Sequence, residues 1–530
     1  MNQALHIFLK DARRFWVEIA VQLAITFGFA SIGASLWTQA ADSHAQLLAA
    51  LAPPLAFLVL VGWWLLITRV IQAERLVGDT QFWITRPYVW SSLMSAKGLF
   101  LLAFICLPFF IAQAILLAVA GFAPQHYIPG LLFNLLLYTA VLILPLTALA
   151  TVTSSFARMT LTLLGILLVF IAFLIAITTM IVANGDFSSI AGGTAGPICF
   201  AIAVADCLTA IVLQYALRRV WLARGVLALL PVLLAAVTYG AGKYDQAQVD
   251  KLYPAAQDDA PIQFTYAPWT KGSETLRFSA SSHARIPIEF QLAETGVAEG
   301  YAILPDVVRA EVTAADGSRW DSGWQGEFEG LKLLPGENHL NTRVNMPIAD
   351  YWKFQSRPLT VHLTLGISQA QAGRTTAVPL PNGKFAVAEF GACSPTTAWT
   401  PQPGQISALH CIAPLRQPQL TYVTTRWADG PCSTGPVGPD AGVGGHAWVG
   451  SLDRAPSELN IAPVTELHLD ISNAIAYEEK GKQRSRSLCP GTPIVFTQFN
   501  RVGRMQTSLD IQGFYLPKVI EANGRISVTE

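Results

Sequence analysis

The first 240 residues contain seven apolar runs that are each about as long as a membrane-crossing helix. Such a helix needs about 20 mainly apolar residues to cross about 30 Å of hydrocarbon. Only 13% of the residues are charged, whereas soluble domains average about 25%. We therefore predict a polytopic α-helical membrane domain over residues 16–240. Its seven predicted spans are Trp16–Trp37, Leu47–Thr68, Gly98–Gly121, Pro129–Thr153, Thr160–Val182, Pro197–Leu217 and Val220–Tyr239.

Lysine and arginine occur only in alternate connections between these runs. Basic connections of membrane proteins tend to stay in the cytoplasm. We therefore expect a cytoplasmic N-terminus and, after seven crossings, an extracytoplasmic C-terminal domain. The basic residues that give this orientation are Lys10, Arg13, Arg14, Arg69, Arg75, Arg86, Lys97, Arg158, Arg218, Arg219 and Arg224.

The chain after residue 240 has a different pattern, with short alternating runs between Gly-, Pro-, Asn- and Asp-containing turns. Runs of this length with frequent turns are typical of antiparallel β-sandwiches. Because about 270 residues exceed one small sandwich, we predict an all-β region of two, over residues 261–375 and 376–530. The predicted boundary is Gln369–Thr376, and residues 241–260 are predicted to be a linker to the membrane domain.

Four of the seven cysteines lie in the predicted extracytoplasmic half, and the other three lie in predicted spans. An even number on the oxidising side indicates structural disulfides. A zinc site would need closely spaced ligands, and only His410 and Cys411 are adjacent. Four cysteines allow three connectivities, among which sequence order favours two short-range pairs. These are Cys393–Cys411 and Cys432–Cys489.

The sequence contains no motif of a known catalytic or metal site. The patterns GxxxxGK[ST], HExxH, GxSxG and CxxC are all missing, and the nine histidines are scattered. A formal net charge of zero gives no reason to expect a nucleic-acid partner. We therefore predict neither enzymatic activity nor a directly bound cofactor or metal.

Asp206 lies near the middle of the sixth predicted span. An ionised carboxylate there costs about 2.5–3.5 kcal/mol even on the most lenient scale. This cost implies a partner, a bound proton or a water-filled path. Two interpretations remain open: a role in a substrate or proton pathway, and a polar contact between helices, for example with Gln113, Asn134 or Tyr138.

The most distinctive connection is GDTQFWITRPYVWSSLMSAK, Gly78–Lys97, within a predicted cytoplasmic loop of residues 70–97. Gly78 interrupts the preceding helix, and Pro87 ends a short helical turn because the residue before a proline avoids helical geometry. This turn presents Phe82 and Trp83. These rings could dock into a groove on a partner, or anchor the loop among lipid headgroups, where aromatic residues are enriched.

The run QFWITRPYVWSSLMSAK resembles the cytoplasmic segment after the second helix of bacterial ABC-2 type permeases. The N-terminal LHIFLKDARRFW resembles the amphipathic helix that precedes the first span in that family, predicted here over residues 1–15. The resemblance covers residues 1–219. It implies a transport subunit of the bacterial cytoplasmic membrane that dimerises with a second permease half. It also implies that residues 78–90 form a coupling helix on a separate ATPase subunit, which consumes the ATP. The implied contact residues are Thr80, Gln81, Phe82, Trp83, Arg86 and Pro87.

This chain departs from that family in two respects. A typical member ends after six spans in the cytoplasm, whereas a seventh span and a large β-rich region are predicted here. The connection Asn184–Gly196 is also short and glycine-rich for re-entrant helices. A second hypothesis is therefore a membrane-anchored receptor or scaffold whose outer β-domains bind a partner without transport.

Overall fold

The computed structural model consists of a helical N-terminal half and a C-terminal half of antiparallel sheets, as predicted. It describes residues 3–38, 43–74, 89–184, 195–255, 262–267, 277–279, 285–298, 300–326, 339–381, 383–387, 390–396, 408–414, 420–426, 428–429, 443–449, 464–469, 478–479, 482–483, 486–487, 491, 493–516, 518–522 and 525–529.

Eight helices make up the described N-terminal half, and every predicted span overlaps one of them, although several of the helices begin earlier or end later than predicted. The first of the eight is the predicted amphipathic helix. The helices are α1 Gln3–Arg14, α2 Trp16–Thr38, α3 Ser43–Gln72, α4 Trp90–Val119, α5 Pro124–Val152, α6 Phe156–Asn184, α7 Gly196–Leu217 and α8 Val220–Leu252.

Five of these helices are long and apolar enough to cross a membrane: α3, α4, α5, α7 and α8. A sixth is obtained when α1 and α2, which meet at a bend of 75°, are counted as one broken span. In α6, which coincides with the predicted fifth span, the described apolar part is Phe156–Val169. The described chain therefore has five or six apolar helices of spanning length.

Two of the long helices contain a π-helical turn just before a proline. These turns are Leu102–Cys106, before Pro108, and Thr139–Ile143, before Pro145. Because proline has no backbone N–H and its ring crowds the preceding turn, a wider turn lets the helix continue past it. The helices thus stay continuous although the sequence contains helix breakers.

Aromatic rings fill the centre of the helical part. Trp63 of α3, Phe109 of α4 and Tyr138 of α5 are fully buried and meet edge to face, with ring centroids 5.0–6.1 Å apart. Such pairs contribute about 0.5–1.5 kcal/mol beyond the burial of their area. This contact holds α3, α4 and α5 together.

The described strands of the C-terminal half are β1 Gln263–Tyr266, β2 Arg277–Ser279, β3 Arg285–Thr295, β4 Tyr301–Ala314, β5 Arg319–Asp321, β6 Gln325–Gly326, β7 His339–Pro347, β8 Leu359–Pro379, β9 Phe385–Val387, β10 Gly391–Thr396, β11 Ala408–Pro414, β12 Leu420–Arg426, β13 Ala428–Asp429, β14 Val443–Val449, β15 Val464–Leu469, β16 Glu478–Glu479, β17 Lys482–Gln483, β18 Arg486–Ser487, β19 Pro493–Phe514, β20 Lys518–Ala522 and β21 Arg525–Thr529. A short helix, α9 Ile348–Phe354, follows β7.

The chain divides into two compact units that do not follow chain order. The predicted sandwich boundary, Gln369–Thr376, lies inside strand β8, and the predicted linker 241–260 is helical as far as Leu252. Unit 1 comprises Met1–Ile166, Cys199–Ala235 and Thr376–Phe496; unit 2 comprises Leu167–Ile198, Ala236–Thr375 and Thr497–Glu530.

In unit 2, β3 pairs with β1 and β7, and β4 pairs with β5, β6 and β8, all antiparallel. Alternate residues of β3 point into the core, as the two-residue period of a strand requires. These buried residues are Ile286, Ile288, Phe290 and Leu292.

In unit 1, four strands form an antiparallel sheet in the order β15, β11, β10, β9. Cys393 of β10 lies directly opposite Cys411 of β11, and the two form a disulfide in the core of this sheet. This is one of the two pairs that sequence order favours. The other, Cys432–Cys489, lies outside the described residues and stays a prediction.

Candidate functional site

Helix α1 is amphipathic, and its buried side contains one apolar and one charged residue. Ile7 and Asp11 are one helical turn apart and both are buried, while Phe8 stacks on Phe104 of α4 with ring centroids 5.7 Å apart. Arg13 and Arg14 occupy the last turn, where positive charges interact favourably with the helix dipole. Helix α1 therefore rests on α4 and presents a carboxylate to it.

A charge cluster of four side chains joins α1 to the ends of α3 and α4. Lys97 is 3% exposed; its Nζ donates to Oδ2 of Asp11 at 2.7 Å and lies 3.6 Å from Oε2 of Glu74. Lys97 also donates to the backbone carbonyl of Val70 at 3.0 Å. Lys10 donates to Oε1 of Glu74 at 2.6 Å. Two ammonium groups thus face two carboxylates, which leaves the charge cluster neutral.

Two opposing effects, burial and pairing with lysines, act on the pKa of Glu74. Burial raises the pKa of a carboxyl group, but Lys97 and Lys10 outweigh that effect and hold the pKa of Glu74 below its ordinary value. The carboxylate is therefore ionised at neutral pH and remains available to both lysines.

Helix α1 contacts the chain on both sides of residues 75–88. Before that segment, Lys10 holds Glu74. After it, the backbone N–H of Val89 donates to Oε1 of Gln3 at 3.5 Å. One amphipathic helix thus holds both ends of the segment, while Lys97 joins the same helix to α4.

The predicted ATPase contacts lie between these two ends. They are Thr80, Gln81, Phe82, Trp83, Arg86 and Pro87, and they fall outside the described residues, so their role stays a prediction. Lys97 was predicted to end the cytoplasmic loop, but it lies in α4, which begins at Trp90. The charge cluster was not predicted from the sequence. A lysine in an otherwise apolar run was its one local signal, since such a residue needs a partner.

Asp206 is 8% exposed and lies in the span α7. Among the residues that the structure describes, none forms a hydrogen bond with its Oδ2 atom. A polar contact with Asn134 or Tyr138 is therefore not formed by this atom. Asp206 and the charge cluster are separate features of the helical part.

Neither a model of a known protein family nor a curated protein sequence matches this chain. The function must therefore be inferred from the contacts themselves. Among the described charged residues of the helical part, Asp11 and Lys97 of the charge cluster are the most deeply buried, and they are paired with each other.

Proposed function

We propose that this chain is the membrane subunit of an ATP-driven transporter of the ABC-2 type, and that residues 78–90 bind a separate ATPase subunit. The supporting observation is that α1 contacts the chain shortly before this segment, through Lys10 and Glu74, and near its end, through Gln3 and Val89. The resemblance of the segment to a coupling helix supports the same partner.

A segment that transmits force needs a rigid base. The buried pair of Lys97 and Asp11 provides one, because separating two buried partners leaves uncompensated charges. The same lysine bonds to the carbonyl of Val70 in α3. A force on residues 78–90 would therefore be transmitted to α1, α3 and α4 together.

The proposed topology has seven spans in a bacterial cytoplasmic membrane, with the N-terminus in the cytoplasm and the β-rich region outside. The coincidence of all seven apolar runs with helices supports it. Two β-sandwiches and pairing with a second permease half belong to the same proposal. The cargo's route would run within the membrane part, where Asp206 is a candidate polar residue.

Changing both Phe82 and Trp83 to alanine is expected to abolish co-purification of the ATPase subunit. Full burial of one large apolar side chain is worth about 1.5–3 kcal/mol, so losing two weakens binding by more than about a hundred-fold. The measurement is affinity purification of the tagged chain from its native membrane in mild detergent. Identification of co-purified proteins by mass spectrometry completes it.

The matched control for this experiment is Trp221→Ala. Trp221 lies in the first turn of α8, next to a predicted cytoplasmic connection, and is 82% exposed, so its removal tests an aromatic residue outside the segment. The control is expected to keep the ATPase. Full retention by the Phe82 and Trp83 variant would reject the coupling role. Absence of any ATPase, combined with partner binding by isolated residues 261–530, would favour the receptor or scaffold hypothesis.

A further inference from the structure

The C-terminal end of α8 packs onto the strands of unit 2. The apolar part of this helix ends at Val237, and the helix continues to Leu252. In its last turn Val249 is fully buried, and Tyr253, the residue that follows the helix, is 5% exposed. Both side chains belong to one apolar cluster with Val307 of β4. Apolar contacts therefore attach the end of α8 to the sheet that contains β4.

A β-bulge in β4 directs a carboxylate towards this helix end. The register of β4 against β8 shifts between Pro305 and Val307, so Asp306 is left out of the ladder of paired residues. Bulges of this kind redirect a side chain. Oδ2 of Asp306 accepts hydrogen bonds from the hydroxyl group of Tyr253, at 2.9 Å, and from that of Ser368 in β8. One carboxylate thus joins the end of α8 to both strands.

The ring of Tyr253 also lies against β8 and β19. A Cβ atom at Gly366 of β8 would come within 3.0 Å of Cγ of Tyr253, so the ring packs closely on the backbone of that strand. The guanidinium carbon of Arg504 in β19 lies 5.5 Å from the centroid of the same ring, within the range of a cation–π contact. One side chain therefore contacts three neighbouring strands of the sheet.

The backbone that follows the helix continues directly into the same sheet. The N–H of Gln506 in β19 donates to the carbonyl oxygen of Pro254 at 2.8 Å, and Ala255 pairs with Gln506 in a parallel bridge. Hinges are formed by a few loop or terminal residues that can change their backbone angles. Because each of residues 253–255 is held by the sheet, this described stretch of the chain provides no hinge.

We propose that residues 236–252 of α8 and the strands β4, β8 and β19 move as one body, so that a movement of α8 displaces this sheet with it. A loose linker would instead let the sheet keep its position. The joint between helix and sheet is formed by Tyr253, Asp306, Ser368 and Gly366, all within unit 2. The proposal rests on the proposed function only for the source of the movement, an ATP-driven rearrangement of the membrane part.

The test measures the distance between two spin labels by pulsed electron paramagnetic resonance, in the purified full-length chain in lipid nanodiscs without any ATPase. The labels are carried by unnatural amino acids in place of Ala236 in α8 and Val502 in β19, which are both exposed and both in unit 2. About 24 Å of helix separates the first label from the joint, so a small rotation at the joint would displace that label widely. The proposal predicts one narrow distribution of distances.

Tyr253→Ala is expected to broaden this distribution about twofold, because it removes the hydrogen bond to Asp306 and the ring contacts with β8 and β19. The matched control is Tyr515→Ala, which removes an exposed tyrosine of unit 2 and should leave the distribution narrow. A broad distribution in the natural chain would overturn the proposal, as would an unchanged distribution in Tyr253→Ala. Because no ATPase is present, neither outcome depends on the proposed function, and a failure of ATPase co-purification would leave this result unchanged.

Discussion

Replacing Asp11 by alanine is expected to lower the free energy of unfolding by about 3 kcal/mol. Breaking a buried ion pair by removing one partner costs about 3–5 kcal/mol, because the remaining charge is left in a poorly hydrated site. Glu74, whose Oε2 lies 3.6 Å from Nζ of Lys97, remains as a partner in this variant, so we expect a destabilisation at the lower end of the range of about 3–5 kcal/mol. The measurement is unfolding of the purified chain in detergent, followed by circular dichroism.

Two further variants separate charge pairing from general damage to the fold. Lys97→Met alone is also expected to destabilise the chain, whereas combining it with Asp11→Leu should recover part of the loss, because no unpaired charge remains from that pair. The control is Glu18→Ala, which breaks the exposed pair of Glu18 with Arg69 and should cost less than about 1 kcal/mol. If Asp11→Ala costs no more than Glu18→Ala, the charge cluster does not hold α1 in place.

Removing the disulfide by the double change Cys393→Ala/Cys411→Ala is expected to lower the free energy of unfolding of the β-rich region by about 3 kcal/mol. The two cysteines are 18 positions apart, and closing a loop of about that length has an effect of this size. Both sulfurs lie in the sheet core, so reduction should require prior unfolding. The measurement is thermal unfolding with and without a reductant.

Cys199→Ala is the control for this disulfide experiment. Cys199 lies in the helical part and belongs to no disulfide, so its change should shift the unfolding midpoint little in either condition. An effect of the reductant that persists in the Cys393 and Cys411 double variant would point to a second disulfide, of which Cys432 and Cys489 are the candidates. An unchanged midpoint in the double variant would show that the bridge does not stabilise the sheet.

The helices were predictable because apolar length is a local property. Each run of about 20 apolar residues coincides with a helix, including those with prolines, where a π-helical turn accommodates the break. The ion pair of Lys97 was not predictable in the same way. Lys97 resembles a loop residue by itself, and its partner Asp11 lies 86 positions away in the sequence. Only the folded chain shows that this lysine is neutralised.

The arrangement of the sheets was also not predictable from the local sequence. Gly373 and its polar neighbours resemble a boundary between domains, yet they lie within β8. A Cβ atom at Gly373 would come within 2.8 Å of the side chain of Asn500, so this glycine lies at a close approach to another segment and not in a turn. Such contacts between distant segments have no signature in the local sequence. The Cys393–Cys411 disulfide could be predicted because its two cysteines are close in the sequence.

The most direct test of the proposed function is a photocrosslinking amino acid placed at position 82 or 83 of the full chain in its native membrane. Irradiation followed by mass spectrometry is predicted to yield a covalent adduct with a P-loop ATPase, and the same amino acid at position 221 is predicted to yield none. Adducts with lipid alone at positions 82 and 83 would show that these residues face the headgroups, and would contradict the proposal of an ATP-driven machine.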